Sequence, residues 1–178
     1  VAVAMAREGD IDGALELIEG LGGRVARDAC RAALAETLAA RGEFEEAMRI
    51  VDAMEGAVEA PQARVDVLLT MARAGRCEEA QEGMTELPSQ MQEEGSMAVM
   101  NACVAFVSEA VQDSRCQDAV AALQYVDLGW HTSFLVMDLA DMCASRGQMS
   151  AMFEMLEYLD NDVLRAQILM SLLIWNLD

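Results

Sequence analysis

Five stretches decide the fold: GDIDGALELIEGL at 9–21, GEFEEAMRIVDAM at 42–54, GRCEEAQEGMTEL at 75–87, SRCQDAVAALQYV at 114–126 and GQMSAMFEMLEYL at 147–159. They align without gaps and begin at Gly9, Gly42, Gly75, Ser114 and Gly147, so successive spacings are 33, 33, 39 and 33 residues. One period holds four times with a single six-residue insertion. Self-similarity at such a period is the signature of a repeat architecture, in which each unit buries its apolar face only against its neighbours.

The aligned columns carry the chemistry. Two residues after each start stand Ile11, Phe44, Cys77, Cys116 and Met149, and five after stand Ala14, Ala47, Ala80, Ala119 and Met152. Nine after come Ile18, Val51, Met84, Leu123 and Leu156, and twelve after come Leu21, Met54, Leu87, Val126 and Leu159. These intervals follow the helical period and mark the buried stripe of a second helix in every unit. Eight residues before each start stand Val1, Leu34, Val67, Phe106 and Leu139, and four before stand Met5, Leu38, Met71, Ala110 and Cys143. They form the buried face of a first helix.

Glycine then falls where the chain leaves one helix and enters the next, a left-handed backbone position that costs other residues energy. Ser114 departs from this pattern and predicts a turn built differently. Asp10, Asp12, Glu43, Glu45, Glu46, Glu78, Glu79 and Asp118 cluster at the starts of the second helices, where the macrodipole favours acids. Arg41 and Arg146 close the first helices, where it favours cations. Much of the acidity is therefore helix-end chemistry.

Composition narrows the function. The 178 residues hold 12 basic side chains, all arginine, against 31 acids, for a formal charge of −19. Without lysine there is no phosphate-loop lysine, no Schiff base and no lysine general base. An acid excess of this size also argues against gripping a nucleic-acid backbone. No apolar run reaches the length of a membrane span, and the opening VAVAMAREGD lacks a basic leader and an initiator Met, which reads as a piece of something longer. Five scattered cysteines, none in a CxxC pair, predict reduced thiols and an intracellular, reducing compartment, cytoplasmic or organellar.

The pattern Leu34-Ala35, Leu38, Gly42, Ala47, Val51 and Met54, repeated along nearly the whole chain, resembles the tetratricopeptide-like repeats, with two helices in about 34 residues. That resemblance implies an all-α, right-handed superhelical solenoid of about five helix-turn-helix units over 1–178, part of a longer array. Departures are visible. The family's aromatic near the start of the first helix is replaced by Arg31, Arg64, Cys103 and Val136, the closing proline is missing, and Met152 in place of alanine predicts looser packing. The segment LLTMARAGRCEEAQEGM at 68–84 is also similar to pentatricopeptide repeats, which read RNA. This leaves a second reading: a helical-repeat arm of an RNA-associated protein or of a larger enzyme complex.

The six extra residues fall within LPSQMQEEGS at 87–96 and predict a solvated acidic loop, with Ser96 capping a helix that begins at Met97. Nine of fourteen methionines lie from Gln90 onward, and the MSLLIWNLD end, with Trp175, predicts an apolar face that is either covered by a neighbour or offered to a partner.

Candidate chemistry is sparse. His131, beside Trp130, is the sole histidine, and no second ligand stands at metal spacing. Cys77, Cys116 and Cys143 share columns with apolar residues and read as core. Glu45-Glu46, Glu78-Glu79 and Glu93-Glu94 point apart on a helix and read as solvated faces. Tyr125 and Tyr158 share one column. No catalytic group, metal or cofactor is expected.

In the resembled family the first helices line the concave surface. Carried over by alignment, that surface here holds Arg7, Glu36, Val65, Leu69, Arg73, Asn101, Val104, Ser108, Gln112, Phe134, Met137, Asp141 and Met170. The basic clamp that a subgroup uses to hold a peptide's terminal carboxylate is missing: Ala32, Val65, Val104 and Met137 occupy its strip. The expectation is a non-enzymatic scaffold and complex subunit. Its apolar groove and acidic rim suit an amphipathic or basic protein segment, without direct nucleic-acid binding or membrane insertion.

Overall fold

A computed structural model describes residues 1–126 and 132–175, and of Ser171, Ile174 and Trp175 the backbone alone. The protein is all-α. Among the described residues it comprises α1 (Ala2–Arg7), α2 (Ile11–Glu19), α3 (Arg24–Ala40), α4 (Phe44–Asp52), α5 (Glu59–Arg73), α6 (Cys77–Thr85), α7 (Ser89–Gln112), α8 (Cys116–Leu123), α9 (Ser133–Ser145), α10 (Met149–Tyr158) and α11 (Asp162–Trp175). Each odd helix from α1 to α9 packs on the even helix that follows it and on the next odd helix.

Three residues join the helices of each pair, and the last two of them have the same backbone five times. Gly9, Gly42, Gly75, Ser114 and Gly147 take φ of 94°, 82°, 89°, 62° and 67°, and no other described residue has positive φ. The next residue caps the second helix at φ/ψ near −85°/65°: −88°/72° at Asp10, −87°/61° at Glu43, −84°/57° at Arg76, −90°/70° at Arg115 and −85°/63° at Gln148. The cap N–H donates to the carbonyl of Met5, Leu38, Met71, Ala110 or Cys143, five residues back, at 2.8–3.0 Å. Paired with the turn residue's own bond three residues back, this is a Schellman closure.

Ser114 therefore builds the same turn as the glycines, contrary to the different turn expected of it. The hairpin needs the left-handed residue whatever its side chain, and Arg146 of the next unit donates to Ser114 Oγ at 2.6 Å. The insertion also departs from its expected loop. It is helical and lengthens α7 at its start, so Ser96 lies inside the helix and caps nothing. Pro88 sits immediately before the first turn, a place proline favours, and Gln90, Met91, Gln92, Glu93 and Glu94 are all good helix formers. Gly95 lets the added turns close on α6, since a Cβ there would meet Met84 Sδ at 2.8 Å.

The buried stripes are the aligned columns. Ala14, Ala47, Ala80, Ala119, Ile18, Leu34, Leu38, Leu123, Leu139 and Cys143 are fully buried. Val1 is exposed and Leu156 only half-buried. Met152 is also fully buried, with the flexible Met155 on the same helix and Leu159 just past its end. Cys77 of α6 and Cys103 of α7 are paired, Cα atoms 5.9 Å apart. Cys116 Sγ lies 2.7 Å from Met142 Sδ, and burial with the Cys116 neighbour pushes the Cys143 thiol well up.

A size constraint operates between α5 and α6, and the aligned positions of other hairpins pair a larger with a smaller residue. A Cβ at Gly83 of α6 would fall onto Leu68 of α5. The equivalent pairs are Ala35 with Ile50, Val107 with Ala122 and Ala140 with Met155. A large side chain on one helix faces a small one on the other, and all six of these residues are buried. The first hairpin has Ala2 with Leu17.

Two outcomes follow from the turn and the size constraint. In urea denaturation, Gly42→Ala, whose Cβ meets nothing within 4 Å, should cost about 1 kcal/mol of pure backbone strain, and Ser114→Gly should gain about 0.5 kcal/mol. Gly83→Leu should cost about 2 kcal/mol by overpacking. Adding Leu68→Ala, which copies the Ala35–Ile50 arrangement, should recover more than half of that.

Candidate functional site

Consecutive first helices touch one another, so equal positions counted back from each turn form rows across α3, α5, α7, α9 and α11. The row ten residues before the turn holds Ala32, Val65, Val104 and Met137, all partly or fully buried, and ends on Met170, which is exposed. The row six before the turn holds Glu36 and Asp141, exposed, and Leu69 and Ser108, half-buried. Asn101 and Phe134 stand thirteen before their turns, both exposed, with Phe134 at 73 %. Arg7, Arg73 and Gln112 stand two before theirs, also exposed. The sequence-predicted residues thus lie on neighbouring helices in three exposed or half-exposed strips and one apolar strip between them.

Their chemistry differs from place to place. Ser108 Oγ donates to Val104 O at 2.9 Å, so its hydroxyl is engaged by its own helix. Leu69 and Met137 rest against the core. Arg7 and Glu36 line one open groove of about 600 Å³ between α1 and α3, with Val3, Ala33, Thr37 and Arg41. Val65 instead lines a smaller groove with Met91, Glu94 and Gly95, so the lengthened start of α7 forms one of its walls. Trp130 and His131 lie outside the described residues, as does the side chain of Trp175. Among the described residues no group of three or more His, Cys, Asp or Glu could hold a metal ion, and no helix is long and apolar enough to cross a membrane.

A second set of residues was not legible as functional or structural. Arg31 and Asp28 are buried at 6 % and 1 % exposure. Arg31 donates to Glu19 of α2 at 2.5 Å, to Asp28 at 3.3 Å and to the Ala53 carbonyl at the end of α4 at 2.9 Å. Burial alone would lower its pKa, but the bonds and charges of Glu19 and Asp28 outweigh that and hold it above the ordinary value. Arg64, one repeat later, does the same with Asp52 at the end of α4 and Glu86 at the end of α6, the latter at 2.7 Å. One arginine position therefore clamps the ends of two successive second helices, twice. Arg76 spans Glu45 and Glu79 and stacks 5.2 Å above Phe44. The signal was present in the sequence: Arg31 and Arg64 occupy the column of the missing aromatic, at the same spacing from acids.

No protein-family model matches the chain, nor does any curated protein or any solved structure.

Arg31→Met leaves the Asp28 carboxylate buried beside an apolar side chain and should cost about 3 kcal/mol. The double substitution Arg31→Met, Asp28→Leu removes both charges and should lie within about 1 kcal/mol of the unsubstituted chain, which chemical denaturation of the three proteins compares directly.

Proposed function

We propose that the chain is a right-handed superhelical solenoid of tetratricopeptide-like hairpins, and that it works as a non-enzymatic scaffold holding a partner protein along its first helices. The observation that carries this reading is the row arrangement. Five turns of one geometry and the contacts between neighbouring first helices put equal positions side by side, so an apolar strip of half-buried Ala32, Val104 and Met137 and buried Val65 runs from α3 to α9, and exposed Met170 of α11 stands one 33-residue period beyond Met137. A strip of this kind fits an extended or helical segment whose apolar anchors meet Leu69, Val104, Met137 and Met170.

Charge complements shape. With −19 overall, the surface favours a segment bearing Arg or Lys at its margins, and the attraction acts mainly on encounter and on the choice of partner. Glu36 and Asp141 are exposed acids on the strip itself. Arg7 and Arg73 enter no ion pair among the described residues, so they remain able to meet an acid of the same partner.

The test is affinity capture on the immobilised full chain, at low and high salt, with Leu69→Glu and Met137→Glu variants alongside. A stoichiometric protein partner should be retained by the unsubstituted chain and reduced at least tenfold by either variant, with helical content by circular dichroism unchanged. Equal capture by all three chains would remove the strip from the proposal.

A further inference from the structure

The junctions between hairpins are fastened at one kind of place, where the second helix of one hairpin meets the first helix of the next. Glu19 of α2 pairs with Arg31 of α3, and Asp52 of α4 with Arg64 of α5. At the following two junctions sulfur stands instead. Cys77 of α6 is paired with Cys103 of α7, and Cys116 of α8 lies within hydrogen-bonding reach of Cys143 of α9. Cys116 Sγ also touches Sδ of Met142, the residue before Cys143, so α9 sets two sulfurs against it. Four of the five cysteines thus meet in two pairs, each across a junction.

Packing alone does not call for cysteine here. The column of Cys116 holds Ile11, Phe44 and Met149 in other units, and that of Cys143 holds Met5, Leu38, Met71 and Ala110. Cys103 stands eleven and Cys143 four residues before its turn, so stacking, not the period, brings each pair together. Cys116 and Cys143 are 1 % and 0 % exposed, the same values as Cys77 and Cys103. Burial and the neighbouring Cys116 push the Cys143 thiol up, which keeps it protonated while the junction is closed.

We infer that Cys116 and Cys143 are a redox couple, open as two thiols and closed as a disulfide that fastens hairpin five to hairpin four. The oxidant is a low-molecular-weight disulfide such as oxidised glutathione. One cysteine thiolate attacks it, forms a mixed disulfide and releases one glutathione thiolate. The other cysteine thiolate then displaces the second. Two electrons pass from the cysteines to glutathione disulfide, and the two thiol protons end on the two released glutathiones. Because both cysteines are buried, exchange requires the contact between α8 and α9 to open, and the closed bond then opposes that opening. Oxidation therefore stiffens the end of the chain that carries Met137, whereas the ionic junctions of the first three hairpins do not respond to it. The inference is independent of what the first-helix strip binds.

The full chain is incubated with reduced or oxidised glutathione at mildly alkaline pH. Free thiols are then alkylated, and digestion without reductant followed by mass spectrometry maps the bonds. After oxidation a peptide pair joined through Cys116 and Cys143 is expected. Cys30, half-buried, should carry glutathione and so report that the oxidant acted. Hydrogen exchange on the same samples should be at least tenfold slower in α9 and α10 of the oxidised chain than of the reduced one, and unchanged in α1 to α4. The Cys143→Ala chain, which copies Ala110 of the preceding unit, should fold normally and keep the Cys77–Cys103 pair. Its exchange in α9 and α10 should be the same under both conditions, which separates the effect of this bond from that of Cys77–Cys103. Cys116 and Cys143 recovered as free thiols or glutathione adducts after oxidation would overturn the inference. So would a bond from either to another cysteine, or slowed exchange that persists in the Cys143→Ala chain.

Discussion

One left-handed residue between paired helices is the constraint on which the rest depends. Its successor's N–H bonds to the carbonyl of a buried residue five positions back, so the turn ties the core stripe of one helix to the first apolar residue of the next. Only three residues separate the helices. Adding or removing one would rotate the second helix by about 100° and carry its stripe out of the core. Length is therefore invariant inside all five hairpins, from the eight-before column to the twelve-after column. The extra six residues lie between hairpins, at the start of α7, where they lengthen a helix ahead of its stripe and leave the turn at Ser114 in register.

Between hairpins the contacts are made differently in the two halves. Units two and three place arginine eleven residues before the turn, and each guanidinium holds the ends of two second helices. Units four and five place Cys103 and Val136 there, both fully buried, and surround them with sulfur-containing and aliphatic side chains. An ionic clamp is directional and demands matched acids at fixed positions, which Glu19, Asp52 and Glu86 supply. An apolar contact tolerates adjustment, and methionine, with its flexible thioether, fits uneven gaps. The Met-rich half is also the half in which Met152, fully buried, replaces the alanine of the other units.

The columns and the turns were legible because both are local and periodic: an apolar residue at a helical interval and a glycine at a fixed offset carry their own physical reason. The insertion was misread because Pro88 reads equally as a stop after α6 and as the residue before α7, and only the second role is realised, since α6 already ends at Thr85. Ser114 was misread because the demand for positive φ comes from the hairpin and not from the side chain. Arg31 and Cys103 were opaque for a different reason, since their partners Glu19, Ala53 and Cys77 are fixed only by how neighbouring units stack. The candidate site lies between these cases. Its strips follow from the period, whereas the exposure of Phe134, the engaged hydroxyl of Ser108 and the groove beside Val65 depend on packing.

The arginine inventory bears on what the protein can recognise. Arg31, Arg41, Arg49, Arg64, Arg76 and Arg115 are in ion pairs with the chain's own acids. Arg27, Arg146 and Arg165 donate to Leu21 O, Ser114 Oγ and Leu156 O. Recruiting any of these for a ligand would break a contact within the chain, which for Arg31, Arg64 and Arg76 joins separate helices and makes them poor recognition groups. Among the described residues Arg7, Arg24 and Arg73 carry no such duty, and Arg7 and Arg73 stand two residues before a turn on the first-helix face. The acids, by contrast, outnumber the arginines more than twofold and are mostly in water. A partner therefore meets a surface whose positive charge is largely committed and whose negative charge is free. On the proposed scaffold reading, selectivity would come from apolar anchoring along the strip, with the acid field rejecting anionic competitors.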